Sequence, residues 1–168
     1  MRISFDVDDT LVCGPTVPTE RFVPWWGRWW YPEPLRRGTR ALMQELLAGG
    51  HQLWVYTTSY RSVFYLQGWF RSFGVPIYGI VNQQRHERVV GRHGPSKYPP
   101  AFAIDLHVDD SVGVGEEGQQ HRFDVVVVLP DDLDWVARVM KAVDSKTGRT
   151  SAADVMFNTK PRLLDNDW

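Results

Sequence analysis

Residues Arg2 to Val7 form a short apolar run that breaks off into acids, Asp6, Asp8 and Asp9, and this feature constrains the fold more than any other. Such a run reads as a strand buried on both faces, with its polar groups gathered at the carboxyl end. A strand covered on both faces belongs to a parallel sheet, and parallel neighbours must be joined by crossover connections, usually helices. The rest of the chain has that grammar. His51 to Thr58 is a second apolar run ending in Thr57-Thr58-Ser59, Ile77 to Val81 a short third, Ala101 to Val108 a fourth ending in Asp109-Asp110, and Phe123 to Leu129 a fifth with four consecutive valines.

Between these runs the spacing predicts a helix over Leu35 to Ala48, stopped by Gly49-Gly50, and another from about Arg61 to Phe73, closed by Gly74 and Pro76. A third is expected from Asp131 or Asp132 to about Val143. Asn82 to Pro100 reads as mostly loop with one turn of helix. Val12 to Pro34, with Trp25, Trp26, Trp29 and Trp30, reads as an aromatic loop and not a helix. The expected fold is α/β: a three-layer, doubly wound, Rossmann-like parallel sheet of about five strands. Ligands in such sheets sit beyond the carboxyl ends of the strands. At 168 residues one core is expected, over 1–145, with 12–34 as a loop or minimal cap and 146–168 as a polar tail.

Composition narrows the partners. A net charge of −1 supplies no global field for a nucleic-acid backbone or an anionic membrane, so phosphate binding has to be local. No apolar run approaches the roughly 20 residues of a membrane span. The single cysteine, Cys13, and the lack of an apolar leader point to a reducing cytoplasm.

Chemistry concentrates at the strand ends. Asp6 and Asp8 lie two apart, on one side of an extended chain, and Asp109-Asp110 ends another strand. Like-charged carboxylates about 4 Å apart cost about 1 to 4 kcal/mol per pair, so the cluster calls for a counter-ion. A hard divalent cation with oxygen ligands, Mg²⁺, suits it best. Thr57 and Lys97 add a hydroxyl and an ammonium for phosphoryl oxygens. The bland alternatives are turn or cap acids at Asp6 and Asp8, a β-branched strand residue at Thr57 and plain surface charge at Lys97. His107, just before Asp109, reads first as a packed neighbour and second as a donor to the site.

The segment FDVDDTLV resembles the first motif of haloacid dehalogenase-like hydrolases, an apolar strand followed by Asp-x-Asp-x-Thr. LWVYTTS resembles the family's second motif, Lys97 stands where its third-motif Lys is expected, and LHVDDS resembles its acidic fourth motif. The resemblance covers about Met1 to Leu129 and implies a capless or minimal-cap phosphatase. By position, Asp6 would be the nucleophile and Asp8 the general acid and base, its main-chain carbonyl offered to Mg²⁺. Asp110 would be the direct metal ligand and Asp109 would act through a water. Thr57 ranks above Thr58 for the second motif, and Arg92 is a nearby substitute for Lys97. Thr10, Thr58, Trp25 and Arg92 are candidate substrate contacts, Trp25 through an aromatic lid. The implied function is Mg²⁺-dependent hydrolysis of a phosphorylated substrate through an aspartyl-phosphate. Alternatives are a phosphotransferase and a non-catalytic binding module using the Trp-rich surface.

Overall fold

The computed structural model describes residues 1–20 and 27–148. Five strands, β1 (Arg2–Phe5), β2 (Gln52–Tyr56), β3 (Gly79–Val81), β4 (Leu106–Asp109) and β5 (Val125–Val127), form one all-parallel sheet in the order β3-β2-β1-β4-β5. The helices are α1 (Gly27–Trp30), α2 (Thr39–Ala48), α3 (Val63–Ser72), α4 (Gln83–Val89), α5 (Val112–His121) and α6 (Trp135–Thr147), with a 3₁₀ turn at Pro99–Phe102. This is the expected Rossmann-like α/β architecture. No helix among the described residues is long and apolar enough to cross a membrane.

The alternation of strand side chains sorts the core into two unequal halves. Ile3, Phe5, Leu53, Val55, Leu106 and Val108 share one face. They pack with Leu42 and Leu46 of α2, Trp69 and Phe70 of α3, and Val139 and Val143 of α6. Trp69 and Phe70 are wholly buried, and burying an aromatic or large aliphatic side chain is worth about 1.5 to 3 kcal/mol. On the other face Trp54, Tyr56 and Val81 pack with Phe102 and Ile104. That face is the polar one, since it also buries Ser4 and His107, joined by a hydrogen bond of 2.8 Å.

From β1 the chain steps outward through β2 to β3 and then returns to the other side of β1 for β4 and β5. The reversal opens a crevice between the carboxyl ends of β1 and β4, the usual ligand position in such sheets. The register there pairs Ser4 with His107 and Ser4 with Trp54. Two residues on, Asp6 therefore stands level with Asp109 on one side and Tyr56 on the other.

Several local expectations are corrected. The fourth strand starts at Leu106 and not at Ala101, because Pro99 and Pro100 open the 3₁₀ turn and Ala103 closes it at φ 51°. Helix α2 starts at Thr39, after Gly38 at φ 94°. Residues 83–89 form two turns of helix where mostly loop was expected, started by Asn82, whose side chain accepts from the Arg85 amide at 3.1 Å. The aromatic stretch, read as non-helical, contains the single turn α1, with Trp29 and Trp30 exposed. Helix α6 runs through Thr147, past the helix end expected near Val143, and 149–168 lie outside the described residues. Helix α5 was not anticipated because Gly113, Gly115 and Gly118 are poor helix formers. A Cβ on Gly118 would lie 2.9 Å from the Phe123 carbonyl, so this glycine lets α5 lie tight against the approach to β5.

Candidate active site

The centre of the crevice is the Lys97 ammonium. It donates to Asp6 Oδ1 at 2.5 Å and to the Tyr56 carbonyl at 2.6 Å, and lies 3.6 Å from Asp109 Oδ2. The Lys97 side chain is only 3% exposed and that of Asp6 only 9%. Lys97 comes from an irregular segment, so its position has to be imposed by contacts. Glu117 of α5 accepts from the Ser96 amide at 2.9 Å, the Ser96 hydroxyl at 2.7 Å and the Lys97 amide at 3.3 Å. On the other flank the Tyr98 amide donates to Tyr56 Oη at 2.8 Å, and that phenol is paired with His86 Nδ1 at 2.5 Å.

Asp109 is held from below. His107 Nε2 lies 2.9 Å from Asp109 Oδ2, and since a carboxylate only accepts, this nitrogen carries the proton and Nδ1 accepts from the Ser4 hydroxyl. The Ser111 amide donates to Asp109 Oδ1 at 2.9 Å. His107 thus packs and donates at once, where packing was the first expectation.

Burial and charge act differently on the two acids. Burial pushes the Asp6 carboxyl up from 3.8 to about 6; Lys97 opposes the shift and Asp109 and Asp8 add to it. Burial also works to raise Asp109, but the His107 hydrogen bond, the Lys97 charge and the Ser111 amide outweigh it and hold this carboxyl below its usual range. Burial lowers His107, which keeps the imidazole neutral. Asp110 is raised, chiefly by burial, against the hydrogen bond its Oδ1 accepts from Thr10 at 3.1 Å.

The remaining candidates fall into three groups. Thr57 is fully buried at the end of β2, and its Oγ1 accepts from the Ser59 amide at 3.1 Å, with no acceptor for its hydroxyl hydrogen among the described residues. Asp8 stands away from Lys97, half exposed, with both oxygens taken by Arg61 at 2.8 Å. Asp9 sits at φ 58°, in the turn that follows β1. Arg92 is 79% exposed and pairs with Glu87 at 3.2 Å, so Lys97 and not Arg92 fills the position beside Asp6. Arg92 and Thr58 do share a groove of about 560 Å³ with Tyr60, Glu87 and Ser96, one residue from Thr57 and from Lys97. Trp25, the proposed lid residue, lies outside the described residues.

Two groups escaped the sequence reading. Glu117 and Tyr56 place Lys97, and Arg61 with Glu33 hold Asp8. The Ser59 hydroxyl is also buried without a hydrogen-bond partner among the described residues, beside Thr57.

Among the described residues no three His, Cys, Asp or Glu side chains are grouped to hold a metal ion. The Asp109 oxygens are engaged by His107 and Ser111 and those of Asp8 by Arg61. That leaves one oxygen each on Asp6 and Asp110, beyond those bonded to Lys97 and Thr10. Those oxygens form no cage among the described residues, and a cation such as Mg²⁺ held there would have to keep most of its waters.

No protein-family model matches the chain, and no curated protein is significantly similar to it.

Proposed function

We propose that this chain is a Mg²⁺-dependent phosphohydrolase of the haloacid dehalogenase-like type, capless or nearly so. The observation that carries the reading is the buried Lys97 ammonium between Asp6 and Asp109, at the reversal point of a parallel sheet. A structural ion pair has no need of that crevice. Placed there, a cation flanked by carboxylates is suited to receive a phosphoryl group: its charge offsets phosphoryl oxygens while leaving one Asp6 oxygen to attack.

Asp110 and the Asp8 carbonyl would hold Mg²⁺ together with the Asp6 oxygen that Lys97 also touches, and the ion would withdraw charge from a phosphoryl oxygen. Asp109, already engaged, serves to hold Lys97. In the reaction an Asp6 oxygen bonds to phosphorus as the bond to the leaving oxygen breaks, and that oxygen takes a proton from Asp8, which would enter the step protonated on one oxygen with Arg61 kept on the other. Water then attacks phosphorus, Asp8 takes its proton, and the Asp6–phosphorus bond breaks to release phosphate. The Thr57 hydroxyl, with Ser59 beside it, donates to the phosphoryl oxygens, and the groove past Thr58 and Arg92 takes the leaving group. The expected setting is a reducing cytoplasm, since Cys13 has no second cysteine to pair with.

The test is phosphate release from p-nitrophenyl phosphate by wild type and Asp6→Asn, with Mg²⁺ and with chelator. Turnover that requires both Asp6 and Mg²⁺ is the expected result. If neither that ester nor a panel of phosphorylated metabolites and phosphopeptides is hydrolysed, the proposal gives way to a binding module displaying Trp29 and Trp30, each 74% exposed.

A further inference from the structure

Asp8 has a demanding task in the proposed reaction and little to hold it. A proton donor must come within about 2.6 to 3.2 Å of the leaving oxygen, yet the Asp8 side chain is 50% exposed, so packing does not select its rotamer. What does select it is Arg61. Nη1 donates to Asp8 Oδ2 and Nη2 to Asp8 Oδ1, both at 2.8 Å, a two-pronged pairing that fixes the plane of the carboxyl as well as its position.

The other edge of the same guanidinium is bound to Glu33: Nη2 donates to Oε1 at 2.5 Å and Nε to Oε2 at 3.3 Å. Glu33 is itself fastened to α3. The Tyr65 phenol donates to its Oε2 at 3.0 Å and the Trp69 indole to its carbonyl at 2.8 Å. From behind, Asn82 donates to the Arg61 carbonyl at 3.1 Å. Every link from the wholly buried Trp69 to the half-exposed Asp8 is a directional hydrogen bond, and the guanidinium has a planar edge for each carboxylate.

We propose that Arg61, braced by Glu33, is a positioning residue that orients Asp8 toward the leaving oxygen, so that the end of the tryptophan-rich stretch contributes to the chemical step. The inference rests on the phosphohydrolase reading above. It differs from a purely structural role, in which Arg61 only pins residues 31–34 to α3.

The readout is kcat/KM, which reports steps up to departure of the leaving group, for two esters. A nitrophenolate departs with little help, whereas an alkoxide from a simple alkyl phosphate needs the proton, and general-acid assistance is worth about 10²- to 10⁴-fold. Arg61→Lys keeps the charge and loses the fork, and Arg61→Met loses both. Each is expected to lower kcat/KM for the alkyl ester at least about tenfold more than for p-nitrophenyl phosphate, within the span of that assistance. Glu33→Gln keeps Arg61 and should show the same asymmetry in weaker form. Asp8→Asn should show it in full, and adding Arg61→Met to Asp8→Asn should cost nothing further.

Equal losses for the two esters, or additive losses in the double variant, would overturn the positioning role while leaving an Asp6-dependent hydrolase standing. If wild type turns over neither these esters nor any member of the panel above, the hydrolase reading falls and this one with it. Melting curves on each variant separate misfolding, which lowers both esters alike, from the predicted asymmetry.

Discussion

A carboxyl raised from 3.8 to about 6 by burial is a standing cost to the fold. A group that binds its proton more tightly when folded contributes stability that is complete below its unfolded value and is lost as pH rises through the folded one. For Asp6 the window runs from 3.8 to about 6, and the full loss is about 3 kcal/mol. Asp6→Asn removes the charge and keeps an oxygen where Lys97 donates, so it should relieve that loss. The relevant quantity is the pH-dependent part of the difference, which is free of any constant change in packing. Between about pH 4.5 and about pH 7.5 the advantage of the variant over wild type should grow by about 2 kcal/mol. The assay is urea or thermal unfolding with chelator present. At the higher pH an advantage of about 3 kcal/mol corresponds to a melting shift of about 6 to 12 °C for a chain of this size. An advantage that is the same at both pH values, or that shrinks as pH rises, would refute the claim that burial dominates over Lys97 at this site.

Further outcomes follow from neighbouring contacts. Lys97→Met leaves Asp6 and Asp109 buried side by side without their cation, and should lower unfolding stability by about 3 to 5 kcal/mol and abolish turnover, read by urea midpoints and phosphate release. Gly68→Ala places a Cβ 2.0 Å from the Tyr31 phenol oxygen, so the Tyr31 ring must give way; a loss of about 1 to 3 kcal/mol is expected, with a lowered melting temperature as the check. Burial pushes the Cys13 thiol up, so alkylation by iodoacetamide in the native protein should be slower than in urea-unfolded protein.

The sheet was legible because its strands are runs that no surface element would carry, and three of them break off, at Asp6, Thr57 and Asp109, in residues a core strand rejects. The same contrast exposed Asp6, Asp109 and Asp110. Lys97 was less legible, since a lone Lys in a Gly- and Pro-containing segment has no periodicity to place it. Glu117, 20 residues on, and Tyr56, 41 residues back, bring it to the site. Helix α5 was hidden because its glycines serve packing against the sheet at the expense of helix propensity, a conflict between local and tertiary preference that one strand of text does not display.

Asp8 shows where motif reading stops. Its spacing from Asp6 suggests two equivalent carboxylates side by side, but the backbone turns after β1, with Asp9 at φ 58°, and the pair is divided. Asp6 enters a buried row with Lys97 and Asp109, and Asp8 goes to the rim with Arg61 and Glu33. A nucleophile gains from the first setting, where a fixed cation and exclusion of water sharpen every electrostatic term. A proton carrier gains from the second, where water can reload it but only directional bonds can aim it. Arg61 and Glu33 are 28 residues apart and belong to no motif, so their role could be seen only once the turn had placed Asp8 within reach of both edges of one guanidinium.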